Sequence, residues 1–227
     1  PVSSPDLTKY TDAAKVAPYA QGYVAAMIRE GIVGGVTSDQ LAPQSNINRA
    51  STVTILDRAI STYADKAGST VTANGGLALV VADDVTLTGQ TDKLLVPTDD
   101  VNVTVSTSKT TSSITITGDD STVTVKNSGV NSAAVHGDNS KVILNSSTAG
   151  DVTLSGANSK VETTGSAKVD SVTVTEDAKG ATVAVGSGTT VKAVDNKAAD
   201  TTVTGAGTVS KVASDTNVTV ETKNTSV

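Results

Sequence analysis

Few side chains in this sequence have the chemistry to act on a substrate or hold a metal. Three acidic pairs stand out: Asp83-Asp84, Asp99-Asp100 and Asp119-Asp120. Aligned along one edge of a repeating fold, such carboxylates could gather calcium, a hard cation that takes oxygen ligands. The glycine-rich nonapeptide calcium pattern is absent, however, and Asp is a preferred turn residue because its side chain bonds nearby backbone. Turn structure is therefore the primary reading of these pairs and calcium the alternative. His136 is the only histidine and there is no cysteine, so a multi-histidine metal site, a thiol nucleophile, a disulfide framework and an iron–sulfur centre are all excluded. A glycoside hydrolase needs two carboxylates at close range, one with a raised pKa. A polysaccharide lyase needs a strong base beside its acids. No arginine follows Arg58, no aromatic follows Tyr63, and the later lysines are scattered singly among turn acids. His136 reads as a turn residue, with no partners for a catalytic triad. The expectation is a protein that is not an enzyme and needs no cofactor, calcium aside.

The elements that would carry these residues fall into two compositions. The chain has 227 residues, of which 37% are hydrophobic but only 2% aromatic, with no Phe or Trp. Thr, Val and Ser number 37, 34 and 25. All four tyrosines, all three arginines and the one methionine precede residue 68. Residues 1–67 hold six acidic and six basic side chains, while 68–227 hold seventeen acids and eleven lysines and so account for the whole net charge of −6. That charge argues against nucleic acid as a partner. No apolar run approaches the roughly 20 residues that span a bilayer, so no membrane insertion is expected. No signal-peptide pattern is visible. Pro1 is not a translation start, which points to a processed or truncated chain and leaves export open.

Residues 1–67 read as helical. From Val16 to Glu30 the apolar positions Tyr19, Tyr23, Val24, Met27 and Ile28 recur at three- and four-residue spacing. Gly31 follows as a helix stop, and Gly31 to Ser45 reads as a structured loop. A second helix fits Arg49 to Asp65, with Val53, Leu56, Ile60 and Tyr63 as its stripe and Asn48 as its N-cap.

From residue 68 onward the period changes to two. Short alternating triplets recur about every ten residues, among them Val85-Thr86-Leu87, Val103-Thr104-Val105, Val123-Thr124-Val125 and Val172-Thr173-Val174. A longer period lies above them. GDDSTVTV from Gly118, GDNSKVIL from Gly137 and GANSKVET from Gly156 are each offset by nineteen residues. A repeat of about 19–20 residues with very short strands predicts a mainly β chain, a right-handed parallel β-helix (β-solenoid) over 68–227. Three-residue strands hold no hairpin alone, but stacked at about 4.8 Å they enclose a dry aliphatic interior. Each buried Val or Leu there contributes about 1.5–3 kcal/mol. Some eight coils would make a column about 40 Å long. An immunoglobulin-like sandwich is the rival, but it wants longer strands and a buried aromatic.

The N-terminal part also carries an ordered set of short motifs. Tyr10-Thr11-Asp12 supplies an aromatic-x-Asp opening, and Tyr19-Ala20 begins a helix. Gly31-Ile32-Val33-Gly34-Gly35 ends that helix, Leu41-Ala42-Pro43 follows, and Ile47-Asn48-Arg49-Ala50-Ser51 starts the next. In this order and spacing, residues 10–60 resemble an S-layer homology (SLH) domain. The resemblance implies a small α-helical domain that holds an exported protein to cell-wall polysaccharide. The family's helix-start arginine, which contacts an acidic sugar, falls on Arg49. Asn48, Asp12, Gly31 and Gly35 complete the implied glycan-binding or subunit-contact set. Asn48 with Ser51 keeps the helix cap but lacks the reciprocal glutamate of a capping box.

These readings combine into an extracellular, cell-surface structural subunit of an S-layer or fibre, with itself and cell-wall polysaccharide as partners. A β-solenoid ends in unpaired strand edges that template further pairing. The strand containing Val218 and Val220 is the expected assembly edge at one end. A monomeric wall-anchored adhesin or spacer is the alternative.

Overall fold

The computed structural model describes residues 7–223. It divides into two compact units, Pro1–Ile60 and Ser61–Val227.

The first unit has one 3-10 turn (Ala13–Lys15) and two helices, α1 (Pro18–Arg29) and α2 (Arg49–Ala59). Pro18 occupies the first helical position of α1, where its missing N–H costs nothing. Gly31, at φ +73°, ends α1 in the left-handed region. Asn48 caps α2, its Oδ1 accepting the Ser51 backbone N–H at 2.8 Å. One expectation is corrected. The apolar spacing carries α2 through Asp65, but the helix stops at Ala59, and Ile60 is extended at φ −103°, ψ 106°. Ser61 then donates its backbone N–H to Leu77 at 2.9 Å. Tyr63 therefore lies in a strand, because a backbone partner distant in sequence outcompetes one more helical turn. Neither helix contains a buried residue. Tyr19 (84% exposed), Tyr23, Val53 and Leu56 all face solvent, while Leu7, Tyr10 and Val16 are buried beneath the loops.

The second unit is a single sheet of seventeen strands among the described residues. In chain order they begin β1 (Thr62–Ala64), β2 (Thr70–Asn74), β3 (Leu77–Val80), β4 (Val85–Gln90), β5 (Lys93–Val96) and β6 (Asn102–Thr107). They continue β7 (Thr111–Ile116), β8 (Thr122–Lys126), β9 (Gly129–Val135), β10 (Lys141–Asn145), β11 (Thr148–Leu154) and β12 (Lys160–Thr164). The last are β13 (Lys168–Val174), β14 (Thr182–Val185), β15 (Thr190–Asn196), β16 (Thr201–Ser214) and β17 (Val218–Lys223). Every pairing is parallel, and through β14 each strand pairs with the strand two places on, while β15 and β17 both pair with the long strand β16. That is a β-solenoid of about eight turns, and its parallel ladder rules out the antiparallel sandwich. Strand β1 places the start of the solenoid ahead of the composition break at residue 68.

Coil length follows from the register. It is 16 residues from Val71 to Leu87 and 18 from Leu87 to Val105. It then runs 20 to Val125, 19 to Leu144 and 19 to Thr163. The next coil takes 22 from Val161 to Val183, then 20 to Val203 and 17 to Val220. The nineteen-residue repeat thus describes the middle of the solenoid, and the ends are shorter.

Inward side chains stack in columns. Val96, Ile116, Val135, Leu154 and Val174 lie one above another, all fully buried. The next place in the column is taken by Asn196, which is equally buried, and Ser214 follows it. The Asn196 amide is satisfied: Nδ2 donates to the Ala198 carbonyl (3.0 Å) and Ser214 Oγ (2.9 Å), and Oδ1 accepts from Thr201 Oγ1 (2.8 Å). At one corner, the repeated glycines Gly118, Gly137 and Gly156 leave no room for a Cβ. An added methyl on Gly137 would strike the Gly118 carbonyl oxygen, and one on Gly156 would strike that of Gly137.

Candidate functional site

In the helical unit, Asp12 is the organising residue. Its Oδ1 accepts the Leu41 backbone N–H at 2.9 Å and its Oδ2 accepts that of Ala42 at 2.8 Å. These two donors, Leu41 first, hold the Asp12 carboxyl below the usual carboxylate range. Thr11 adds a second tie, its N–H and Oγ1 both reaching the Asp39 carbonyl (2.8 and 3.1 Å). The segment before α1 is thus stitched to the loop before α2. Gly35 turns that loop at φ +84°, and a Cβ there would stand 2.6 Å from the Gln40 carbonyl and 3.1 Å from the ring of Tyr10. Tyr10 itself is buried, donates from its hydroxyl to the Gly34 carbonyl (3.4 Å) and carries the Lys9 ammonium 4.7 Å above its ring.

The loop and α2 together enclose a groove of about 720 Å³. Its apolar lining includes Ile32, Leu41, Ile47 and Ile55. From α2 it takes Ala50, Ser51, Thr54, Ile55 and Arg58, residues at the spacing of one helix face. Asn48 lines the groove beside the N-terminus of α2. Arg49 does not line it. It projects from the face that carries Val53 and Leu56, and it is exposed. The structure therefore gathers Asn48 and Gly35 around one groove, uses Asp12 to position the wall of that groove, and leaves Gly31 as the stop of α1. Sequence reasoning missed Arg58, whose signal was its four-residue step from Thr54 on the face opposite Arg49.

In the solenoid, the paired acids take a common corner. The first member of each pair accepts a backbone N–H from the next coil. Asn102 N–H reaches Asp83 Oδ1 at 2.7 Å, Asp119 N–H reaches Asp99 Oδ1 at 2.8 Å, and Asp138 N–H reaches Asp119 Oδ1 at 2.8 Å. Asp138 continues the ladder to Ala157 N–H at 2.7 Å. Asp83 is held below the usual range by the Asn102 backbone and side-chain donors together with its own turn. The second members, Asp84, Asp100 and Asp120, adopt left-handed φ of 54°, 56° and 53°. Asn139, Asn158 and Asp200 also take left-handed φ, the first two at the same step of GDNS and GANS. Asp and Asn tolerate that conformation better than most residues. Among the described residues, no three His, Asp or Glu side chains come together in a way that could hold a metal ion. His136 is exposed in a turn between β9 and β10. Val218 and Val220 lie in β17, half-buried, paired with Thr201 and Val203 of β16 and packed against the core.

With that geometry in place, the helical unit can be compared with known families. Residues 9–52 match the family model of the S-layer homology domain. Less than a quarter of the chain is covered, and it holds Tyr10, Asp12, Gly31, Gly35, Asn48 and Arg49. The chain matches no curated protein and no solved structure. An SLH domain marks a protein of the cell surface, associated with the S-layer and held to the cell wall. Among the described residues no helix is long and apolar enough to cross a membrane.

Proposed function

We propose that this protein is a structural subunit of an extracellular bacterial surface layer or fibre. Its SLH domain attaches it to cell-wall polysaccharide, and its solenoid is the building element. The observation that carries the reading is the pairing of an SLH domain with a parallel solenoid whose corner acids are engaged in its own backbone ladder. The first carboxylate of each pair accepts from the coil above, and the second shapes the turn. Neither arrangement resembles a pair of carboxylates poised across a scissile bond. Calcium, where present, would meet Asp84, Asp100 and Asp120, whose side chains are not used in that ladder.

Self-assembly is the finer part of the proposal. A parallel solenoid presents open backbone donors and acceptors along its terminal strands, and edge-to-edge addition repeats the pairing already inside it. Such head-to-tail contacts are heterologous and extend without closing unless the rotation returns on itself. Strand β17, with Val218 and Val220 on its inner side, is the edge that would receive the next subunit. Negative-stain microscopy of the purified chain at rising concentration, with and without calcium, tests this. Filaments or sheets are expected. Uniform single particles under every condition would contradict assembly and favour a monomeric wall-anchored spacer.

A further inference from the structure

Unpaired charges of the solenoid sort to two opposite edges. In three successive coils an acid pair precedes a strand: Asp83-Asp84 before β4, Asp99-Asp100 before β6 and Asp119-Asp120 before β8. At the far end of the same strands stands a lysine. Lys93 opens β5, Lys109 lies between β6 and β7, and Lys126 closes β8. All nine side chains are exposed. None is in an ion pair among the described residues, whereas the faces pair Lys160 with Glu162 and Lys192 with Asp170. The first carboxylate of each acid pair is engaged by the backbone of the next coil. Each coil therefore leaves one carboxylate, Asp84, Asp100 or Asp120, for one lysine. Asp92 is the single acid on the lysine edge over these coils, and its Oδ2 accepts the Gly76 backbone N–H at 2.8 Å.

The two edges also differ in shape. The lysine edge holds a shallow groove of about 320 Å³, whose lining includes Lys109, Asn127, Ser128 and Thr148 and has no carboxylate. Ser128 Oγ has no hydrogen-bond partner among the described residues. The acid edge presents compact turns in which Asp84, Asp100 and Asp120 are left-handed. Both ladders climb one coil, about 4.8 Å, per step, so their charges keep the same spacing.

We propose that the lysine edge of one solenoid receives the acid edge of a second copy lying alongside, with Lys93, Lys109 and Lys126 against Asp84, Asp100 and Asp120. The contact joins different surfaces of identical chains, so it is heterologous and repeats into an open row. It rests on the surface-assembly reading above and adds a lateral contact to the end contact at β17. Exposed ion pairs are weak singly. Three at one spacing reinforce each other, because the first contact raises the effective concentration of the rest. Complementary potentials also fix the register.

The test is zero-length carbodiimide coupling of the full chain, read by mass spectrometry of the cross-linked peptides. The reagent condenses a carboxylate with a lysine amine into an amide and takes up the released water as a urea. Strands β6 and β7, of six residues each, hold Lys109 about 20 Å from the acid corners at either end. An amide between Lys109 and Asp100 therefore joins two molecules. That amide is expected in the unsubstituted chain and should disappear at about 1 M salt. Two double variants keep both reporter residues: Lys93→Gln with Lys126→Gln, and Asp84→Asn with Asp120→Asn, since Asn tolerates the left-handed turn. Circular dichroism checks that each keeps its fold. Each alone should lower the amide yield about ten-fold or more, as multivalency is lost. Mixing the two, one of them isotope-labelled, should restore it, linking Lys109 of the Asp-substituted chain to Asp100 of the Lys-substituted chain. An unchanged yield in either double variant, or no restoration on mixing, overturns the pairing. Association that requires calcium and vanishes with a chelator also overturns it, because acid edges would then meet through the cation. Filaments in the microscope without the Lys109–Asp100 amide overturn the lateral contact and leave the end contact standing. A chain that stays monomeric overturns both.

Discussion

Ser140 and Ser159 occupy the same step of consecutive coils and are equally buried, yet they differ in what they bond. Ser140 Oγ accepts the Ser121 backbone N–H at 2.9 Å and donates to the Gly118 carbonyl at 2.8 Å. Ser159 Oγ has no partner among the described residues. Removing a hydroxyl that satisfies buried backbone leaves an orphan donor, at a cost of about 1–3 kcal/mol. Ser140→Ala should therefore lower the denaturant midpoint clearly, while Ser159→Ala should leave it unchanged or raise it. Equal shifts in the two variants would contradict the ladder. Asp12 makes a second residue-scale prediction. Its folded pKa is depressed by the Leu41 and Ala42 amides, so its contribution is fully present above the unfolded value near 3.9 and is lost as pH falls through the lower folded value. Amide exchange at Leu41 and Ala42, corrected for the intrinsic pH dependence, should show protection constant above pH 5 and falling only in strong acid. Asp12→Asn should weaken that protection at neutral pH. At this scale the sequence showed which residues matter better than it showed why. Asp12 was legible as a motif member, but its task of holding a loop some thirty residues away depends on a fold that spacing does not display. The acid pairs were legible as turns, whereas the coil-to-coil hydrogen bonds that explain their first members were not. Asp138 belongs to the same ladder and was hidden because its neighbour is Asn139 in place of a second acid.

Among the elements, the solenoid strands were the most readable, because a two-residue alternation and a nineteen-residue offset both survive translation into register. Lys141 pairs with Thr122 on one side and Lys160 on the other. Deleting residues 141–159 would therefore join two coils whose inward and outward positions already agree. The shortened chain should fold, with the strand signal in circular dichroism reduced in proportion to length. Val142→Asp, at a fully buried position, should by contrast yield insoluble or unfolded protein, whereas Ile143→Asp, on the outward side of the same strand, should fold. Indistinguishable behaviour of these two variants would refute the register. Helix α2 was less legible at its end. Ile60 and Tyr63 continue the apolar spacing of Val53 and Leu56, and nothing local signals that Ser61 will bond to Leu77. The competing partner lies sixteen residues downstream, beyond any helical window.

At the scale of the whole molecule, the two compositions correspond to two units with different sources of stability. The solenoid has a continuous aliphatic core and a parallel ladder running its full length. The SLH domain buries Leu7, Tyr10 and Val16 but no residue of either helix. Helices of 12 and 11 residues are marginal by themselves in water. Denaturant unfolding followed separately by tyrosine fluorescence and by far-ultraviolet circular dichroism should show two transitions. The fluorescence change should come first, since Tyr10, Tyr19 and Tyr23 lie in the SLH domain. The absence of Phe and Trp fits the same division, with rings kept in the helical unit and at β1 while the ring-free remainder fills a narrow aliphatic column. The central claim, that an SLH domain holds a structural solenoid to the cell wall, is tested most directly by co-sedimentation of the full chain with wall sacculi. The account predicts that the protein pellets with intact sacculi and stays in solution when the sacculi have been stripped of their polysaccharide. Equal pelleting with both, or none with either, would contradict it.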